Sequence, residues 1–363
     1  HVSASWSGDE VLSIYRGGNL TLQYCIISEA CSESHRFGGL WGTSNSTCHH
    51  NLLAHNDSRN PRWKTGKNDY RNNVIYNWGY NSCYGSASQI NMVANYYKPG
   101  PATKPDVKNR IAEPYGGSWY VADNIMVGDE EVTNDNWKGM AGDKGAKLES
   151  PWDAMPINQE TAENAYKTVL AHAGCSFPSR DAVDKRIMEE VRTGTATHGN
   201  GIISKPGDVG GWPQLKSGQA PADGDHDGMS DNWEKTNGLD PNDPTDGNTI
   251  GKDGYTNLEI YLNSLVELKK TPVIITKKNR AANSLIRIHT DQKSANFSIE
   301  ENSHVKIELY SISGVKITTL FNGIKNAGTC SVSYGNLTLP AGPVICRIST
   351  KDRTTIKKML LFK

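Results

Sequence analysis

His49–Lys64 reads HHNLLAHNDSRNPRWK. Its first part, Asn51-Leu52-Leu53-Ala54, has the character of a short buried strand. A polar run follows and leads into Arg59-Asn60-Pro61-Arg62-Trp63-Lys64. Three cationic side chains within six residues, with a proline among them, make a stiff basic turn. Arginine binds planar anions through two parallel hydrogen bonds, so such a turn suits carboxylate recognition. By composition alone the same run also reads as a solvated, charged loop.

Outward from this stretch the strand pattern recurs. Cys25-Ile26-Ile27-Ser28, Asn51-Leu52-Leu53-Ala54, Asn73-Val74-Ile75-Tyr76, Asn91-Met92-Val93-Ala94 and Asn124-Ile125-Met126-Val127 all place Asn, once Cys, before a short apolar run. Their starts lie 26, 22, 18 and 33 residues apart. Periods of that size point to a solenoid with one supersecondary unit per repeat. The strands are too short and the links too irregular for a helical repeat, which predicts a parallel β-helix and a mainly β protein. The recurring Asn belongs at one bend, where its amide bonds to the Asn above and below.

The 363 residues leave room for two or three domains. Lys+Arg and Asp+Glu balance at 39 each, which argues against a general nucleic-acid binder. Low hydrophobic content, 36%, with 35 Gly suits a turn-rich extracellular β protein. No apolar run is long enough for a membrane span. The seven Cys include no CxxC pair, so neither a zinc site nor a disulfide framework is implied. The chain opens at His1 in mid-pattern, without Met, and is read as part of a longer protein. Near that start, the acidic pair Asp9-Glu10 precedes an apolar strand. It can offer oxygen ligands to Ca2+, or simply sit exposed at a turn.

Five segments carry a resemblance to a known family: SASWSGDEVLSIY (3–15), FGGLWG (37–42), HHNLLAHNDSRNPR (49–62), DYRNNVIYNWG (69–79) and INMVANYYKPGPAT (90–103). Together, over about residues 1–215, they resemble the pectate lyases of polysaccharide lyase family one. The resemblance implies a right-handed parallel β-helix, here incomplete at its N-terminus. It implies cleavage of de-esterified polygalacturonate by Ca2+-dependent β-elimination, giving 4,5-unsaturated oligogalacturonides. The family's catalytic base lands on Arg59. Its second basic residue lands on Lys64, a departure, because Lys is a point charge without Arg's fork. Arg62 then takes part of that work. The catalytic Ca2+ ligands map to Asp9 and to Ser13, where a hydroxyl replaces an acid. The family's substrate-binding lysine has no match near Phe37; Arg36 is the nearest cation.

The chemistry suits these residue types. The proton to be removed is on C5, next to the C6 carboxylate, and cations bound there stabilise the developing enediolate. Arg is an unusual base, with an ordinary pKa above about 12. The residues themselves support a cationic clamp; the base assignment is what the resemblance implies. His1, His49, His50 and His55 could act as acids or bases, but packing is the stronger reading. Of the adjacent pair His49 and His50, one ring is expected to be packed and the other solvated. Trp41, Trp63, Trp78, Tyr96 and Tyr97 are read as packing at least as readily as sugar-stacking.

Beyond residue 128 the period changes. Asn158–Ala173 reads as an amphipathic helix with an Asn cap and a Gly174 stop, and Asp181–Arg192 as a second, ended by Gly194. Both are expected to pack on the solenoid flank with their charges solvated. Asp223-Gly-Asp225-His-Asp227-Gly-Met229-Ser-Asp231-Asn-Trp-Glu234 then matches an EF-hand loop. Asp223, Asp225, Asp227, Asp231 and Glu234 stand at its ligand positions, with Met229 contributing its carbonyl and Gly228 making the turn. A second copy is degenerate, with Ile260 at its twelfth position; Asp240, Asp243 and Asp246 could share one composite site. Residues 216–266 thus resemble a compact dockerin-like or thrombospondin type 3 calcium repeat with a structural Ca2+. Residues 267–290 read as a basic linker.

In 291–363, alternation at Val305, Ile307, Leu309, Val315, Ile317, Val332, Val344, Cys346 and Ile348 predicts a small β-sandwich. The segments Tyr310–Lys316, Leu339–Gly342 and Lys357–Lys363 resemble the C-terminal sorting domain of the Bacteroidetes type IX secretion system. That implies the secretion machinery as a partner and a secreted or outer-membrane-surface location; a carbohydrate-binding or fibronectin-like module is the alternative. The combined expectation is a secreted, monomeric pectate lyase with Ca2+ and a pectate substrate. The alternative is a non-catalytic β-helix that binds uronans at the surface.

Overall fold

The computed structural model of the chain describes residues 1–142, 145–215, 217–251, 254–266, 289–290, 294–299, 302–311, 316–334, 342–350 and 354–361. The expected linker, except for its last two residues, lies outside this set. So do residues 312–315 and 339–341 of the sorting-domain segments, the apolar position Val315, and Phe362 and Lys363.

Three parallel sheets wrap one core. The first holds Ser3–Ser5, Ile26–Ser28, Leu52–Ala54, Val74–Tyr76, Tyr96–Lys98 and Ile125–Met126, stacked in chain order. The second holds Ile14–Tyr15, Leu40–Gly42, Arg62–Trp63, Cys83–Gly85 and Ala112–Pro114. The third holds Leu20–Gln23, Asn45–His49, Lys67–Arg71, Gln89–Val93, Ser118–Ala122 and Ala146–Lys147. Each of the first five coils contributes one strand to each sheet, and the last adds a strand to the first and third, so the expected parallel β-helix is present.

The register explains the apolar runs. Ile27, Leu53, Ile75, Tyr97 and Met126 align across the first sheet and point into the core with Trp41, Trp63, Trp78 and Trp119. Ile26, Leu52 and Val74 form the outer row. That row is covered by Val169, Ala173, Val183, Ile187 and Val191 from two helices. A strand buried on both faces must be apolar at every position, which is why these runs do not alternate.

The bend before each of these strands is an amide ladder. Asn51 Oδ1 accepts from Cys25 N (2.9 Å), Asn73 Oδ1 from Asn51 N (3.0 Å), Asn95 Oδ1 from Asn73 N (2.9 Å) and Asn124 Oδ1 from Asn95 N (2.9 Å). The side-chain amides join in: Asn51 Nδ2 donates to Asn73 Oδ1 and Asn73 Nδ2 to Asn95 Oδ1, each at 3.0 Å. The residue before each rung, Tyr24, His50, Asn72, Ala94 or Asp123, is left-handed, with φ between 52° and 60°. One expectation is corrected here. Asn91 is not a rung; it lies in the third sheet and donates to Asp69 Oδ1 and the Trp152 carbonyl. The rung is Asn95, and its strand reads Tyr96-Tyr97-Lys98. The outer row is amphipathic there: Tyr96 stacks on Tyr166 at 4.4 Å, and Lys98 donates to the Val191 carbonyl at 2.7 Å.

The helices are Ala162–His172 and Ala182–Thr193. The first is capped by Thr161, not Asn158, because Asn72 Oδ1 holds Glu160 N at 2.9 Å and keeps the chain extended that far. The second begins at its Asp181 cap and ends on left-handed Gly194. Its charges are solvated only in part, another correction: Lys185, Glu189 and Arg192 are exposed, but Asp184, Arg186 and Glu190 are drawn in. Arg186 grips Glu29 through two bonds of 2.7 and 2.8 Å, and Glu190 meets His55 Nε2 at 2.8 Å. Glu29 and Glu190 are both buried.

The chain divides into two compact units, His1–Ala154 with Gln159–Ser217, and Met155–Asn158 with Gly218–Lys363. The second unit holds the helices Asp231–Asn237 and Asn257–Leu265, then two antiparallel sheets. Phe297, Val305, Ile307, Leu309, Val332, Val344, Cys346 and Ile348 form the core of the sheets, matching the alternation read from sequence. Among the described residues no helix is long and apolar enough to cross a membrane.

Candidate functional site

The basic turn leads into Arg62–Trp63, the central strand of the second sheet. Asn60 anchors it from inside: its carbonyl accepts from Tyr70 OH, its N–H donates to the Ser82 carbonyl, and its side chain bonds Asn56. Arg59 is left-handed at φ 60°, and its carbonyl accepts from Gly39 N. A Cβ at Gly38 would stand 2.6 Å from that carbonyl, so only glycine lets the two coils approach.

The Arg59 guanidinium is held on three sides. It lies over the Phe37 ring at 4.0 Å, its Nε donates to Tyr84 OH at 3.3 Å, and it pairs with the Glu10 carboxylate. Burial would lower its pKa, but Tyr84 and Glu10 outweigh that and raise it. The group is therefore fixed in its charged form. Arg62 is in register with Leu40 and Tyr84 on the outer row, with its guanidinium 5.5 Å from the Tyr84 ring. Lys64 follows two residues on and is exposed. Among the described residues, neither Arg62 nor Lys64 forms an ion pair. Arg36 pairs with Asp57 at 3.3 Å.

Asp9 is exposed, and Ser13 Oγ accepts from Leu40 N at 3.1 Å. Among the described residues neither belongs to a group of three acidic or imidazole ligands. Two donors, one already engaged, fall short of the roughly six to eight oxygens that Ca2+ takes. Sequence reasoning missed Glu10, Phe37 and Tyr84 as partners of Arg59. Glu10 was visible as half of an acidic pair, but its partner is 49 residues away in sequence.

The histidines lie elsewhere. Both His49 and His50 are buried, so the expectation of one solvated ring is corrected. Their Nδ1 atoms stand 2.8 Å apart, and His50 stacks on Tyr24. Burial, with His50 and Arg71 nearby, pushes His49 down to about 3. His1 Nδ1 meets the His172 carbonyl, and His55 is locked between Asn77 and Glu190. Trp41, Trp63, Trp78 and Tyr97 are core residues unavailable to a sugar. The exposed aromatics on this side are instead Tyr80, beside Arg59, and Tyr115, beside Arg62 and 5.4 Å from Tyr84.

The acidic loop is a second polar centre. Asp223, Asp225 and Asp227 each bring a carboxylate oxygen within 4.8 Å of the others, as do Asp227, Glu234 and Asp246. Glu234 is fully buried. Burial first, then Asp225, Asp227, Asp246 and Asp231, push it up to about 7. Asp231 accepts from Gly224 N at 2.7 Å and is not in either group. Met229 is buried, with its N–H on Asp227.

No family model matches the chain. It is 36% identical over 278 residues to a protein of Aspergillus terreus named "Probable pectate lyase C", covering 73% of this chain and 64% of that one. The same name is borne by a protein of Aspergillus fumigatus, 36% identical over 282 residues, with the same shares covered. An Emericella nidulans protein of that name is 35% identical over 274 residues, 73% of this chain and 63% of that one. The chain thus spans less than two thirds of the length of these relatives. A span of 73% of the chain is longer than residues 1–217, so the likeness runs on past the solenoid.

Proposed function

We propose, on the premise of that similarity, that the chain is a pectate lyase. It cleaves polygalacturonate by Ca2+-dependent β-elimination and leaves a 4,5-unsaturated end. The observation that best supports this is the cationic row beside a rigid turn: Arg59 fixed in its charged form, with Arg62 and Lys64 in no ion pair among the described residues. A uronate presents a carboxylate next to the C5–H bond that breaks. Arg59 is assigned as the catalytic residue, with Arg62, Lys64 and Arg36 as substrate-binding residues. Glu10 occupies Arg59 while substrate is absent, and the C6 carboxylate of the sugar takes its place. The guanidinium then faces the charge that develops on that carboxylate as C5 gives its proton to water, the C4–C5 double bond forms and the C4–O bond breaks, the leaving oxygen taking a proton from solvent. Asp9 and Ser13 are the chain's assigned contacts for Ca2+; with most of its ligands drawn from substrate and solvent, the ion would add to the neutralisation of that charge.

Residues 1–215 are read as the lyase solenoid with its helical extension, 216–266 as a calcium repeat, and 291–363 as a type IX sorting domain that directs export. If protein lacking 290–363 is still exported, the sorting role is excluded.

Arg59→Ala in the full-length enzyme is expected to cut formation of unsaturated product from polygalacturonate by at least about 100-fold, the scale of losing one charge-stabilising donor. Near-normal rates refute the assignment. A non-catalytic, uronan-binding solenoid is favoured by one observation, the pair Asp9 and Ser13, which falls short of a Ca2+ shell. Assays with and without Ca2+, on pectate, methylated pectin and alginate side by side, separate the two readings.

A further inference from the structure

The acidic loop contains a feature that its sequence motif does not supply. Glu234 has no exposed surface, and neither of its carboxylate oxygens has a hydrogen-bond partner. Asp225 Oδ2, Asp227 Oδ2 and Asp246 Oδ1 are buried and unpartnered as well. Buried carboxylates facing one another without donors are relieved by a proton or a cation among them, and the EF-hand spacing of this loop favours the cation. Asp246 belongs to the remnant of the second repeat, twelve residues beyond Glu234.

We propose that one Ca2+ binds where Asp223, Asp225 and Asp227 meet Glu234. Asp246 completes its shell, so a single ion staples the first repeat to the remnant of the second. This rests on the calcium-repeat reading of residues 216–266 and departs from it in ligand set and in number of ions.

The local geometry prepares Asp246 for this role. Its Oδ2 accepts from Asp240 N at 3.0 Å, and its carbonyl accepts from Asn257 Nδ2 at 2.9 Å. That leaves Oδ1 for the cation. The next residue, Gly247, is pressed against the loop: a Cβ there would stand 2.4 Å from Asp227 Oδ2. Asp231, the loop's own ninth-position acid, is committed to Gly224 N, so Asp246 stands in for it. The second repeat carries Ile260 where a bidentate acid would be needed, and among its described residues the one acid in a converging group, Asp246, serves the first site. The donors are all oxygen and carry a high negative charge. That set selects a hard cation, and its irregular arrangement suits Ca2+ better than the strict octahedron of Mg2+.

The test is calorimetric titration of the full chain with Ca2+. The site is identified as the binding that Glu234→Gln removes. Asp246→Asn is expected to weaken that binding at least tenfold. Asp246→Glu, which keeps the charge and displaces the carboxylate by one methylene, is expected to weaken it too. Asp243→Asn, whose carboxylate is occupied by Thr245, is expected to leave it unchanged. Normal affinity in both Asp246 variants overturns the proposal while leaving the calcium loop standing. An equal loss in Asp243→Asn reduces the effect to general charge and overturns it too. If Glu234→Gln removes no binding at all, the calcium-repeat reading itself fails.

Discussion

Two buried polar arrays run through this protein, and they are satisfied in opposite ways. In the solenoid bend, Asn51, Asn73, Asn95 and Asn124 each both donate and accept, so the ladder is closed with protein atoms alone. In the acidic loop, Glu234, Asp227 and Asp246 only accept, and their inward oxygens have no donor. An amide stack can therefore grow coil by coil without help. A carboxylate cluster is complete only with a cation supplied from solution.

The largest way to break this contrast is to remove the cation. Chelation is expected to make residues 218–251 cleavable by protease while residues 1–217 remain intact, as read by mass spectrometry of the fragments. Equal sensitivity of the two regions would erase the distinction.

Acid tests a third kind of array, the ion pairs beneath the second flank helix. Burial would raise the Glu190 carboxyl, but the His55, Thr197 and Arg186 contacts outweigh it and bring it from 4.5 to about 2. A depressed carboxylate contributes stability above its unfolded value of 4.5, and that stability is lost as pH falls through about 2. The amount is on the order of 3 kcal/mol. Thermal unfolding followed between pH 5 and pH 2 should therefore fall less steeply in Glu190→Gln; parallel curves would remove Glu190 from the account.

Within the ladder, Asn73→Leu strands the Asn51 N–H and the Cys48 and Arg71 carbonyls. It is expected to cost about 3 kcal/mol in denaturant unfolding, since each buried group left unpaired carries its own penalty. Asn91→Ala removes bonds to Asp69 and Trp152 outside the ladder and is expected to cost about 1 kcal/mol. If the two substitutions cost the same, Asn73 is no different from any buried amide.

The coil period and the identity of most rungs were legible because each rung repeats a local pattern of Asn followed by a strand. Asn95 was not, because its strand carries Tyr96 where the earlier coils carry Ile26, Leu52 and Val74, and the charged Lys98 where they carry Ser28, Ala54 and Tyr76. That change reflects what covers the coil, and the covering helices come from residues 162–193. The basic turn was equally legible, yet its state was not. Nothing near Arg59 in sequence says that Glu10, two coils back, Phe37, one coil back, and Tyr84, one coil on, enclose it.

The sequence by itself determined the solenoid, the helices on its flank, the turn that presents Arg59, Arg62 and Lys64, and four of the loop carboxylates that converge. These rest on short-range rules: repeat spacing, helix caps, a glycine at the sharp point of a loop. Only the tertiary structure decided which charge meets which. Arg59 is paired with Glu10, Arg186 with Glu29, Glu190 with His55, and Asp246 faces Glu234. Any of the 39 acidic residues is an equally good partner for an arginine on chemistry alone. The choice is made by the stacking of coils and the docking of helices, which bring residues distant in sequence within reach of one another.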